Sequence, residues 1–280
     1  MRAWMTVTCA MVLAGASVLG GCDGGGSQPD SGPVGSDGGD SGQGQPDSGP
    51  GQPDSGPGPG PVLRDVTLNI TDADPHVGQL VELRIVDADD VLVARGIVAA
   101  LPSGDYSFAF PSSTPEGPHR LDFFADLSMN GAYDPPPADH AWRRDVAASG
   151  DVVIDFPHGT DFTDISSPAI TEHGDFTFEA SEMGPHVGQL FELRVIRESD
   201  GRLVGRYVLP EIQAADFSLT IPGIIENGVE YRVDFWADLS DDGQYQAPPV
   251  DHAWRETVTG GASGATVHFT HHTDLVDVEF

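Results

Sequence analysis

The stretch HRLDFFADLSMNGAYDPPPADHAWRRDV, His119 to Val146, returns in near copy as YRVDFWADLSDDGQYQAPPVDHAWRETV, Tyr231 to Val258. A self-similarity at a spacing of roughly 110 residues makes the chain a duplicated module, with each copy large enough for a core of its own. Around the repeated stretch the first copy shows short segments of strand period at Val66-Leu68-Ile70, Val81 to Val86, Val91 to Val98, Tyr106-Phe108-Phe110, Leu121 to Ala125, His140 to Val146 and Val152-Ile154-Phe156. The second copy repeats them at Phe176-Phe178, Leu190 to Ile196, Leu203 to Leu209, Phe217-Leu219-Ile221, Tyr231 to Ala237, His252 to Val258 and Val267-Phe269. Gly, Pro, Asp and Ser separate the segments, and no stretch has helical period. An all-β chain is predicted, with one sandwich over 62–165 and a second over 166–280.

Some seven short strands per copy, each with one apolar face, resemble immunoglobulin-like or transthyretin-like antiparallel β-sandwiches in tandem. Trp142 and Trp254 stand at equal places after the repeated loop and are expected in the cores, where tryptophan on an alternating strand usually packs. Asp122 and Asp234 recur on the strand before the loop and are expected to pair with Arg143 and Arg255 on the strand after it.

Ahead of the modules, Arg2 supplies a short positive region and Val7 to Leu19 an apolar run too short for a stable span, followed by Leu19-Gly20-Gly21-Cys22. This resembles the lipobox of bacterial lipoproteins, which implies a signal peptide over 1–21, diacylation of the Cys22 thiol and acylation of its new amino terminus, palmitate being the usual kind of chain. Several acyl chains at about 0.8 kcal/mol per buried methylene give a durable membrane anchor. Cys9 falls inside the signal, so the mature chain has no thiol free for disulfides or zinc. Residues 22–61 are Gly, Pro, Ser, Asp and Gln, with QPDSGP three times over, and read as a disordered tether that holds the modules away from the bilayer.

Charge narrows the partners. With 44 acidic and 13 basic residues the formal charge is −31, which repels nucleic acid and anionic lipid and favours cations. Every basic residue is arginine, which closes Schiff-base chemistry and lysine-dependent phosphate loops. No nucleophile elbow, H-E-x-x-H pair or phosphate-binding glycine loop is present. No catalytic residue is therefore assigned.

Two sets of residues are candidates for a cation. In the repeated loop, Asp126, Ser128 and Asn130 occupy the first, third and fifth places with Gly131 at the sixth; Asp238, Ser240, Asp242 and Gly243 repeat them. This resembles the opening of an EF-hand-type calcium loop, as in dockerin repeats, which implies side-chain oxygens turned inward and a positive φ at the glycine. The carbonyls of Ala132 and Gln244 would take the seventh place. Pro137 and Pro249 stand where the bidentate glutamate belongs, so Asp139 and Asp251 are the replacements, with modest affinity expected. The alternative is a plain hairpin, since Asn-Gly and Asp-Gly are common turn signals and aspartates cap turns without metal.

The second set is histidine. His76 and His186 recur in PHVGQL, His140 and His252 in DHAWR, and His158 and His271 after the last strand. If consecutive strands reverse direction, all three places in each copy fall at one pole, where three imidazoles suit zinc or copper, with Asp139 or Asp251 as outer partner.

The sequence thus predicts an exported lipoprotein, anchored through lipid to the bacterial cell envelope, displaying two non-catalytic binding modules stabilised by calcium for an unidentified protein or glycan ligand. Its alternatives are a transition-metal site with a metal-handling or enzymatic role, and an envelope spacer. Cys22→Ser is expected to abolish incorporation of labelled palmitate and to release the chain from the membrane fraction.

Overall fold

The computed structural model describes residues 61–280. Signal peptide, Cys22 and all but the last residue of the tether lie outside them. Fourteen strands form: β1 (Leu63–Thr71), β2 (Val81–Asp87), β3 (Leu92–Val98), β4 (Tyr106–Pro115), β5 (His119–Ala125), β6 (His140–Val146), β7 (Val152–Pro157), then β8 (Gly174–Ser181), β9 (Phe191–Arg197), β10 (Arg202–Leu209), β11 (Phe217–Ile225), β12 (Glu230–Ala237), β13 (His252–Thr259) and β14 (Gly264–Thr270). Each of the fourteen segments of strand period becomes one strand.

In each half the first strand pairs antiparallel with the fourth and parallel with the seventh, giving three-stranded sheets β4-β1-β7 and β11-β8-β14. The remaining strands run β3-β2-β5-β6 in the first half and β10-β9-β12-β13 in the second. In an immunoglobulin sandwich the first strand shares a sheet with the second. Here it does not, and the fold is narrowed to the transthyretin-like of the two expected forms, with parallel outer pairs in an otherwise antiparallel sandwich.

The two four-stranded layers are a single sheet. β3 and β10 lie side by side in parallel, Arg95 beside Gly205 and Val98 beside Val208, joining the halves into eight strands ordered β13-β12-β9-β10-β3-β2-β5-β6. Alternate residues of a strand point to opposite faces, and β3 shares its apolar side chains between two cores. Ala94 and Val98 pack with Leu83 and Phe123 of the first half, whereas Leu92 and Ile97 pack with Phe178 and Leu193 of the second. β10 returns the exchange, with Leu203 and Val208 in the first core and Val204 in the second. The three-stranded sheets therefore cover opposite faces of the shared sheet, and an approximate twofold axis along the strands relates the halves.

Equivalent arginines cross this join. Arg84 stands beside Arg95 and Arg194 beside Arg206 in the strand registers, so Arg95 and Arg206 are counterparts. Arg95, almost fully buried, reaches Glu82 of its own half and both Glu172 and the carbonyl of Pro222 at the second half. Arg206 holds the buried Glu192 with two bonds of 2.8 Å and donates to the Ala109 carbonyl of β4. Desolvation works to raise the Glu192 pKa, but Arg206 and Arg194 outweigh it and hold the carboxyl below its usual range. Gly96 leaves room at the join: a Cβ there would lie 2.5 Å from the Phe110 ring.

Asp122 and Asp234 are fully buried and pair with the arginines expected. Arg143 reaches both Asp122 oxygens at 2.6 and 2.8 Å, and Arg255 reaches those of Asp234 at 2.6 and 3.0 Å. Removing one member of a buried pair strands the other. Arg206→Ala leaves Glu192 with Arg194 alone and is expected to cost about 2 kcal/mol in urea unfolding, and Glu192→Met, which strands both arginines, to cost more.

Candidate metal centres

Strand reversal brings three chain segments of each half to one end of its sandwich. A 3-10 turn, Asp74–His76, precedes β2; β6 begins at His140; and β7 hands over to His158, whose amide donates to the Thr71 carbonyl at the end of β1. The second half repeats this with Gly184–His186, His252 and His271, the last bonded to Ser181.

The side chains meet. His76 Nε2 lies 3.0 Å from His158 Nε2 and 3.3 Å from His140 Nδ1. In the second half His186 Nε2 lies 3.1 Å from His271 Nε2 and 3.3 Å from His252 Nδ1. Four nitrogens at 2.0–2.1 Å from a tetrahedral zinc ion would be about 3.3 Å apart. The triads match that edge twice.

The tautomer of the innermost ring follows from its partner. His76 Nδ1 is 2.8 Å from Gln79 Oε1, an oxygen that only accepts, so Nδ1 carries the proton and Nε2 presents its lone pair to the other rings. Gln189 does the same for His186 at 2.8 Å. His76 Nε2 can accept an N–H from His158 or His140, and His186 Nε2 one from His271 or His252, while a cation between the rings would take the same lone pairs. Fixing the outer nitrogen of a ligand histidine is the usual role of a neighbour behind a metal site.

Below each triad lies the conserved shape of the repeat. Trp142 stands edge-on to His76, His140 and His158, and its indole N–H donates to the Gly159 carbonyl at 3.0 Å. Trp254 holds the His272 carbonyl likewise at 3.0 Å. Both are buried in the cores, as expected, and each also fixes the turn that carries the third histidine. Phe162 stacks on His140 with ring centroids 3.9 Å apart.

Burial disfavours the charged form of four of the six rings. Desolvation lowers the pKa of His76 and His186, and their sister imidazoles lower it further against the raising bond from Gln79 or Gln189. His140 and His271 are lowered for the same first reason. Neutral imidazoles are the form that binds metal.

The acidic loops take a different form. The Asp126 carboxylate accepts from Ser128 Oγ, the Asn130 amide and the Gly131 amide at 3.1, 3.2 and 2.7 Å. Asp139 accepts from the amides of Ser128 and Asp134, and Asn130 Oδ1 from that of Ala132. In the second loop Asp238 binds Ser240, Asp242 and Gly243, Asp251 binds Ser240 and Gln246, and Asp242 binds Gln244. Gly131 and Gly243 have the positive φ expected of them, +78° and +75°. Among the described residues, groups of three or more convergent His, Cys, Asp or Glu ligand atoms occur at the two histidine triads and not in these loops. Asp139 and Asp251 bond to loop amides, and the outer partners of the buried histidines are instead Gln79 and Gln189.

Those glutamines were not singled out from sequence, although their recurrence in PHVGQL was the signal. Tyr133 and Tyr245 also recur: each hydroxyl bonds the segment after the last strand, to Asp164 and the Ile165 amide or to Asp277 and the Val278 amide. Burial, against those amide donors, pushes both phenols up to about 12.

No family model matches the chain, and no curated protein matches it. Among solved structures, a candidate adhesin of Bacteroides thetaiotaomicron is 10% identical with a TM-score of 0.26, covering 70% of this chain and 80% of its own. The fimbrial anchor protein Mfa2 of Porphyromonas gingivalis is 10% identical with a TM-score of 0.25, covering 70% and 82%. A DUF3823 family protein of Bacteroides uniformis is 7% identical with a TM-score of 0.22, covering 69% and 96%. Likenesses this loose transfer no role.

For His76, His140, His186 and His271 the folded pKa lies below the ordinary 6.5. Their contribution to stability is present above that value and lost as pH falls through the lowered one. The metal-free chain is expected to melt lower at pH 5 than at pH 7, and the His76→Asn/His186→Asn variant to lose less over the same interval.

Proposed function

We propose that the chain is an envelope-displayed metal-binding protein that holds one zinc or copper ion in each half, by His76, His140 and His158 and by His186, His252 and His271. The observation that carries this reading is the twofold occurrence of a central ring nitrogen 3.0–3.3 Å from two others, all three within 4.8 Å of one another, with the proton of the innermost ring directed to a glutamine oxygen. Three imidazoles without a thiolate suit zinc or copper(II) and disfavour calcium and magnesium, which take oxygen.

In this reading the acidic loops are scaffold. Asp139 and Asp251 directly precede His140 and His252, and their bonds to loop amides set where those ligands begin their strands. Calcium in the loops remains the second proposal, supported by the spacing of Asp126, Ser128, Asn130 and Asp139 and by its repeat at Asp238, Ser240, Asp242 and Asp251. The lipobox resemblance supports a membrane anchor with the modules exported, and on such an anchor the protein handles metal or binds through it.

Mass spectrometry of the full-length chain after exposure to zinc, copper and calcium distinguishes these. Two zinc or copper ions per chain are expected, falling to one in either His76→Asn or His186→Asn. Calcium at two per chain with neither transition metal bound would replace the histidine reading by the loop one. At 100 times the dissociation constant, each ion adds about 2.7 kcal/mol of stability. Gln79→Ala is expected to weaken the first site by about 10- to 100-fold while leaving the second unchanged, read by competition with a chromophoric chelator.

A further inference from the structure

Each half carries four arginines on the sheet face opposite its own core, and the two halves satisfy them differently. Arg84, Arg95, Arg120 and Arg143 of the first half are the counterparts of Arg194, Arg206, Arg232 and Arg255 of the second. Four carboxylates meet the first set: Glu82 takes Arg84 and Arg95, Glu172 takes Arg95, Asp90 takes Arg120, and Asp122 takes Arg120 and Arg143. Among the described residues two meet the second set: Glu192 takes Arg194 and Arg206, and Asp234 takes Arg232 and Arg255. The second network is two carboxylates short.

One of the two losses traces to a single position. Asp90 stands two residues before Leu92 and Gly201 two before Leu203, in the same turn, and both have a left-handed backbone, with φ of +62° and +72°. Where Asp90 places its carboxylate on Arg120, Gly201 has no side chain to place on Arg232. Arg232 keeps Asp234, 3.0 Å from its Nε, and that buried Nε has no hydrogen-bond partner.

The vacated place is open space. Arg232, Gly201 and Arg194 line a cleft of about 250 Å³, and Ile196, Leu203 and Phe280 give it an apolar lining. Arg194 donates through Nε to Glu192 at 2.9 Å, and its guanidinium carbon lies 4.3 Å from the centre of the Phe280 ring. Glu279 also borders the cleft but pairs with neither arginine, so four guanidiniums stand against three carboxylates. β9 keeps this place apart from the histidines: His186 precedes the start of that strand, and Gly201 follows its end.

The chemistry of the occupant follows from these groups. A guanidinium fork takes a planar carboxylate in two parallel bonds, and the first half shows a carboxylate in this very position. A phosphate carries more than one charge at neutral pH, beyond what a surplus of one matches. The apolar lining suits an uncharged body, and the volume lies below the ~300–1,000 Å³ of pockets for drug-sized ligands.

We infer that this cleft is a ligand site, distinct from the histidine triads, for a small monocarboxylic acid with an apolar tail. Its carboxylate lies on Arg232 as that of Asp90 lies on Arg120, and its tail packs on Ile196, Leu203 and Phe280. The site occurs once per chain, because the first half fills its own copy. It stands whether or not the triads hold metal.

Titration calorimetry of the full-length chain with hexanoate is expected to show one equivalent bound, with hexanol and inorganic phosphate each at least about tenfold weaker. Arg232→Gln is expected to weaken hexanoate by about tenfold. Gly201→Asp restores in the chain the carboxylate that the first half has, on a backbone that Asp90 shows aspartate to adopt. It is expected to abolish hexanoate binding and to raise the melting temperature, a pair of results that a misfolded variant does not give. His76→Asn/His186→Asn is expected to leave hexanoate binding unchanged, which separates this site from a carboxylate held on metal. The inference is overturned by two equivalents per chain, by undiminished binding in Gly201→Asp, by hexanol or phosphate binding as tightly as hexanoate, or by no binding of hexanoate at millimolar concentration.

Discussion

Parallel pairing of β3 with β10 is the constraint on which the rest of the molecule depends. It turns two sandwiches into one sheet with a core on each face, and makes each core incomplete without the other half: Leu92 and Ile97 belong to the second, Leu203 and Val208 to the first. Continuity of the sheet forces Arg95 and Arg206 inward. Each then faces a carboxylate from the neighbouring strand and a carbonyl from across the join. A buried ion pair contributes little net stability by itself, but it penalises every register that leaves it unpaired.

The triads depend on a different economy of parts. Two strand ends and one 3-10 turn supply the imidazoles, while Trp142 and Gln79, through one hydrogen bond each, hold two of them in place. The rings rest on the same aromatic floor that fills the core, Trp142 against Phe123 and Phe156, so the site inherits the rigidity of packing rather than that of a loop. Rigid elements position donors more closely than loops do.

Strands were legible in the sequence because each module buries one face, and alternation records that directly. The gathering of His76, His140 and His158 was legible for a related reason: hairpin reversal alone places their three strand ends together, whatever the strand order. Strand order itself was not, since the pairing of β1 with β4 and β7 leaves no local trace. Nor was the join, although β3 carries a hint, being apolar on both faces from Leu92 to Val98 save for Arg95, as a strand covered on two sides should be. In the acidic loops, spacing alone cannot separate a carboxylate turned on its own amides, as Asp126 is, from one turned on a cation.

The staggered meeting of β3 and β10, Arg95 and Arg206 standing as counterparts across it, has the symmetry of a homodimer. A single half would leave an unpaired strand edge and two core residues, Leu92 and Ile97, in water, and the edge of an identical molecule would cover both. Covalent fusion makes that encounter intramolecular, so it survives dilution. The pairing of the two histidine triads in one molecule is thereby a property of the chain and not of its concentration.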